Sequence, residues 1–158
     1  MKYRCLTIEE LKELEQELKH FLIANHVYTE EWVALNKTKD KRAQELVELF
    51  SDVVLEKALK NINYLEHITS FEITSFKCGD TTMTMIGISS KNKKIDFTKD
   101  KLSKFKNELT IFKSNKLYIK QRELEVFELL QSGCSIITEE RFKKLELAHT
   151  YSSKQNKN

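Results

Sequence analysis

Between Lys91 and Arg122 the chain carries eleven basic residues against three acids, a local balance of +8 inside a protein whose net charge is only +3. The cations are Lys91, Lys93, Lys94, Lys99, Lys101, Lys104, Lys106, Lys113, Lys116, Lys120 and Arg122. Lysines meet phosphates as point charges, and the interleaved Phe97, Phe105, Phe112 and Tyr118 could stack on unpaired bases. If six of these cations touched single-stranded RNA, the salt slope would be about −4, and affinity would fall roughly a few hundred-fold between 50 and 200 mM salt. Ten of the eleven are lysine, however, whereas sites that read bases or grip phosphate bidentately favour arginine. The ordinary alternative is a solvated surface whose aromatics belong to the core. The segment is therefore expected to dock RNA, a ribosomal particle or an acidic protein, with little sequence specificity.

A second chemistry is a thiol nucleophile. Cys78 precedes Gly79-Asp80, and Glu66-His67 lies on a preceding strand, so a Cys–His pair with an orienting carboxylate is conceivable. Against it, unreactive cysteines are usually buried, and Cys78 falls on an apolar face with Phe76, Met83 and Met85. The histidines His20, His26, His67 and His149 form no HExxH, no i,i+4 pair and no zinc-type cluster with cysteine. Gly79, Gly87 and Gly133 are isolated, so no phosphate-cradling loop is present. No catalytic residue, metal or cofactor is assigned. The reading is a non-catalytic binding protein; the alternatives are a protein–protein adaptor and a small enzyme using Cys78 and His67. An adaptor would use the acidic N-terminal helices (Glu9, Glu10, Glu13, Glu17) or Trp32.

The elements that must position these residues follow from periodicity and caps. Thr7-Ile8-Glu9-Glu10 has the form of a capping box, and Leu11, Leu14, Leu18, Phe21 and Leu22 make one helical stripe to about Ala24. Thr29 caps a short helix bearing Trp32, Val33 and Leu35. Asp40 caps a long helix to about Asn61, apolar on more than one stripe and so expected at the centre of the core. Tyr64–Ser90 reads as strands, with a two-residue hairpin turn at Gly79-Asp80 where glycine supplies a positive φ. That register puts Phe71, Ile73, Ile86 and Ile88 on one face and Phe76, Cys78, Met83 and Met85 on the other. Lys91–Lys94 is a turn, Thr98–Asn107 a short amphipathic helix, Leu109–Lys113 a strand, and Ser114-Asn115 a turn into a helix over Leu117–Ser132. Gly133 is its left-handed C-cap. Ser135–Ile137 is extended, and Thr138 caps a last helix with Phe142 and Leu145 inward.

The predicted fold is α+β: N-terminal helices packed on a small antiparallel sheet, then a helix-rich basic C-terminal half. Residues 1–149 are expected as one domain, with a disordered polar tail over 150–158. Three dispersed cysteines and no charged-then-apolar leader point to a cytoplasmic protein with reduced thiols, and no apolar run is long enough for a membrane helix.

MKYRCLTIEELKELEQELKHFLIANHVYTEEW at the start, FSDVVLEKALKNINYLEH beyond it, and VFELLQSG later resemble an uncharacterised family of small cytosolic proteins found in Bacteroidetes. The resemblance spans the chain to about Ala148. It implies a bacterial cytoplasm and no membrane, and it carries over no catalytic or binding residue.

Overall fold

The computed structural model describes residues 1–155. It is an α+β protein with four N-terminal helices, a five-stranded antiparallel sheet and two C-terminal helices. The chain divides into two compact units, Met1–Leu59 and the residues from Lys60 onward, and each is taken in turn.

The first unit holds α1 (Ile8–Glu13), α2 (Glu15–Ala24), α3 (Thr29–Lys37) and most of α4 (Lys41–Lys60). The capping box forms: the Glu10 amide donates to Thr7 Oγ1 at 3.2 Å, and the Thr7 amide donates to the Glu10 carboxylate at 2.8 Å. One continuous first helix was expected, but Leu14 leaves helical geometry (φ −102°, ψ 25°). The ladder runs through this kink, since Leu14 N reaches Glu10 O and Leu18 N reaches Leu14 O. Tyr28, not Thr29, occupies the N-cap of α3, and its side chain makes no capping bond. Asp40 does cap α4, accepting the Arg42 amide at 2.8 Å. Leu22, Val27 and Leu46 form the buried cluster here, with Phe21 tilted against Phe50 at 5.3 Å between ring centroids. The expectation that α4 is buried on two sides fails: Leu46 and Phe50 are buried, whereas Leu49 and Val53 are exposed.

The second unit is built on β1 (Tyr64–Ile68), β2 (Glu72–Cys78), β3 (Thr82–Ser90), β4 (Leu109–Leu117) and β5 (Ser135–Ile136), in spatial order β4-β3-β2-β1-β5. Along the β2–β3 hairpin the two faces alternate as expected, apart from Phe71, which precedes β2 and is exposed. The register differs: a turn at Gly79-Asp80 would set Cys78 opposite Thr81, whereas Ile73 stands opposite Ile88, Phe76 opposite Met85 and Cys78 opposite Met83. The turn lies one residue further on. The Gly79 amide donates to Thr82 O at 3.0 Å, so Asp80 and Thr81 are the loop residues. Positive φ among the glycines belongs to Gly133 alone, as its C-cap role requires. At Gly79 the constraint is space instead, because a Cβ would stand 2.8 Å from Thr82 O.

The C-terminal half is not helix-rich, because β4 continues to Leu117. Ser114 and Asn115, expected as a turn, sit opposite Met85 and Thr84 inside the ladder. An edge strand tolerates such polar residues, since one of its sides faces water. The expected helix over Thr98–Asn107 is a 3-10 segment, Leu102–Glu108, broken at Phe105 (φ −118°). Two helices complete the unit, α5 (Arg122–Gln131) and α6 (Glu139–Gln155). Thr150–Gln155, expected as tail, is the last turn and a half of α6; the remainder of that tail, 156–158, lies outside the described residues.

Strand alternation sorts this unit's core. Ile73, Ile86 and Ile88 point to one face, where Phe142 and Leu145 of α6 cover them together with Ile95 and Phe97. On the opposite face lie Phe76, Met83 and Met85, with Leu129 of α5 against them.

Candidate basic site on the β3–β4 connection

Residues 91–108 join β3 to β4 and contain seven of the eleven cations. Apolar residues tie the connection down: Ile95 and Phe97 are buried and Leu102 and Phe105 half-buried, all in the cluster with Phe142. The Phe97 amide also donates to Ser70 O at 3.1 Å. Asn92 folds the first turn by accepting the Lys94 amide at 3.0 Å. The acids of the segment are occupied internally. Asp96 accepts the Thr98 hydroxyl and amide, which holds its carboxyl below the usual range. Asp100 accepts the Asp96 amide at 2.7 Å, and Glu108 accepts the Asn92 side-chain amide at 3.0 Å. Lys91, Lys93, Lys94, Lys99, Lys101, Lys104 and Lys106 are all exposed and form no ion pair among the described residues.

The other four cations are placed differently. Lys113 pairs with Glu146 of α6 at 3.2 Å, Lys116 with Glu125, and Lys120 with Glu128. Lys113 stands opposite Ile86 and Lys116 opposite Met83, so these two lysines point to opposite faces of the sheet. Glu125, buried at the start of α5, also accepts the amides of Ile119 (2.5 Å) and Lys120 (2.9 Å) and so closes the β4–α5 turn. Burial opposes its ionisation, but Lys116 and the two amides outweigh that and hold its carboxyl below the ordinary value. The Arg122 side chain is only 10% exposed. It donates to the carbonyls of Ile62 (2.7 Å), Cys78 (3.0 Å) and Gly79 (3.2 Å) and to Asn63 Oδ1 (3.2 Å). These four cations fasten the fold, and only the seven on the connection face solvent unpaired.

The aromatics follow the same division. Phe97 is buried and Phe105 half-buried, and Tyr118 gives its hydroxyl to Gly79 O at 2.8 Å, with burial pushing its pKa up to about 12. Phe112 is partly exposed, but its ring occupies the space over Gly87. Phe97, Phe105 and Tyr118 are therefore held in the fold and do not stand free as stacking platforms for bases.

The strand register separates the proposed thiol pair. His67 lies opposite Thr74, and Cys78 is four residues further along β2, about 13 Å away along the strand. Cys78 is 2% exposed, and burial pushes its thiol up to about 11 despite the nearby Arg122. Such a thiol is protonated near neutrality, the reverse of an activated nucleophile. No group of three or more His, Cys, Asp or Glu side chains that could hold a metal occurs among the described residues.

In the N-terminal unit Glu9, Glu13 and Glu17 are exposed, whereas Glu10 is committed to its cap and to a two-pronged pair with Arg4 at 2.7 Å. Trp32 is half-buried against the Leu22, Val27 and Leu46 cluster, which is how a lid on a small core sits.

Sequence reasoning missed the acids that take three of the cations out of the site, and the carbonyls that take Arg122. Glu125 and Glu128 sit one turn apart on α5, a spacing that would match Lys116 and Lys120 only once β4 was known to run to Leu117. No helix among the described residues is long and apolar enough to cross a membrane. No curated protein and no solved structure matches the chain. Residues 1–150 match the family of unknown function DUF6495, and the chain belongs to that family.

Proposed function

We propose that this chain is a non-catalytic binding protein of the bacterial cytoplasm that docks RNA or a ribonucleoprotein particle through the β3–β4 connection. The observation that carries this reading is the sorting of the cations. Seven lysines are exposed and unpaired on one 18-residue connection whose apolar residues anchor it and whose acids are used in its own turns. The contact set is thereby narrower than the whole basic segment. Phosphate is the fitting counterpart, because lysine supplies charge without the fork that reads bases. Binding is then salt-dependent and poorly discriminating in sequence.

Titration of the purified protein with bulk RNA at several salt concentrations tests this. Six phosphate contacts would give a slope of about −4 on a log–log plot. Replacing Lys93, Lys94, Lys99 and Lys101 with glutamine should lower the slope and weaken binding at low salt. Replacing Lys120 should leave both unchanged. Absence of salt-dependent RNA binding, together with a low-salt preparation free of nucleic acid, would sink the reading. An acidic protein is the alternative counterpart of the same lysines, and a partner retained after nuclease treatment would identify it.

A further inference from the structure

The 3-10 segment, the β3–β4 face and the C-terminal half of α6 border an open trough of about 610 Å³, a volume within the usual range for small-molecule sites of roughly 300–1,000 Å³. Its floor is aliphatic, from Ile88, Leu109 and Ile111, and Leu102, Leu147 and Tyr151 form the walls. Leu147 and Tyr151 are 70% and 66% exposed and lie on the side of α6 away from its buried Phe142 and Leu145, so they add apolar surface open to solvent at the edge of the trough. Serine and amide side chains surround the mouth, and among the described residues that line it Lys106 is the single charged one and no acid is present. Lys106 has no ion-pair partner among the described residues, and Lys101 and Lys104 on the same segment add to the positive field.

An apolar trough with one unpaired cation at its lip has the polarity of an amphipathic anion. The geometry points to a medium-chain carboxylate as its occupant, the hydrocarbon lying along Ile88, Ile111 and Leu147 and the carboxylate meeting Lys106. Chain burial supplies affinity that grows with each buried methylene, and the lysine supplies selection for the anion. This site goes beyond the polyanion reading, since an aliphatic floor offers nothing to a phosphate backbone.

Calorimetric titration with laurate, dodecanol and dodecyltrimethylammonium, each below its micellar concentration, tests the assignment. Laurate should bind with one-to-one stoichiometry and the cationic analogue should bind at least tenfold more weakly. Lys106→Gln should remove most of that difference, and Leu147→Glu, a change at an exposed position, should abolish laurate binding while leaving RNA titration untouched. Conversely, Lys93→Gln with Lys94→Gln should weaken RNA and leave laurate unaffected. Three results would overturn the site: no laurate binding up to millimolar concentration, equal binding of all three amphiphiles, or laurate binding insensitive to Leu147→Glu. So would sedimentation showing a dimer that Leu147→Glu dissociates and laurate does not, because the trough would then be covered by a second copy.

Discussion

The ring of Phe112 on β4 lies over Gly87 on β3, filling the space in which a side chain at position 87 would stand. A glycine in the interior of a strand normally weakens it, and here the neighbouring ring takes over the packing. Gly87→Ala should therefore cost about 1–3 kcal/mol through overpacking. Phe112→Ala relieves the clash, so the double variant should be less destabilised than the two single changes summed. Denaturant midpoints for the four proteins give the answer, and strict additivity would show that the ring and the glycine act separately.

Arg122 is expected to matter for folding and not for docking. Arg122→Lys keeps the charge but cannot reach the carbonyls of Ile62, Cys78 and Gly79 together. Leaving buried carbonyls short of a donor costs about 1–3 kcal/mol, which urea titration would register as a lower midpoint with an unchanged slope. A lysine variant as stable as the parent would remove this role.

Acid sensitivity should run partly through Glu125. Its carboxyl is held below the ordinary value in the folded protein, so its contribution is complete above the unfolded value and is lost as pH falls through the folded one. Glu125→Gln should be less stable near neutrality and should show a flatter decline of stability as pH falls below the ordinary glutamate range. Parallel curves for the two proteins would exclude the linkage.

Thiol labelling should separate the three cysteines. Cys5 is exposed, whereas Cys78 and Cys134 are buried and burial raises both thiols. A disulfide reagent at mild alkaline pH should therefore modify one thiol quickly in the native protein and three after unfolding. Fast native labelling at Cys78 would contradict its position between the sheet and α5.

The lysines themselves should divide by stability. Glutamine at Lys93, Lys94 or Lys99 should shift folding free energy by no more than about 0.5 kcal/mol, as for open surface sites. Lys116→Gln should cost more, roughly 1–3 kcal/mol, because it strips the buried Glu125 of its counter-charge. Thermal melts of the single variants would show whether the two groups separate.

Much of this architecture was legible where alternation and caps agree. The Thr7–Glu10 box, the alternation of faces along β2 and β3 and the Gly133 cap each rest on a local pattern that no distant contact overrode. The second half of β4 was not legible, because Ser114, Asn115 and Lys116 have little intrinsic strand preference and pair only because β3 lies beside them. The same holds for residues 102–108. Leu102 and Phe105 have helical spacing, but both are pulled onto the sheet and the backbone tightens and kinks to allow it. The division of the basic run was hidden for a further reason. The partner acids Glu125, Glu128 and Glu146 lie outside the run, on two helices whose placement only the assembled sheet defines.

The strand order has a consequence for how the molecule is made. Strands β1 to β4 each pair with the next one in the chain, so β1 to β3 can zip up by short loop closures as they are synthesised and β4 follows once its 18-residue connection is made. β5 joins β1 across the long interval from Leu65 to Ile136, with only two residue pairs to reward that closure. Phe142 and Leu145 arrive later still. Until they do, Ile73, Ile86 and Ile88 lack part of their cover, and the long free side of β4 stands ready to pair with another nascent chain. C-terminal truncation before residue 139 should turn a soluble product into inclusion bodies, and a holdase chaperone should find its substrate in this interval of translation.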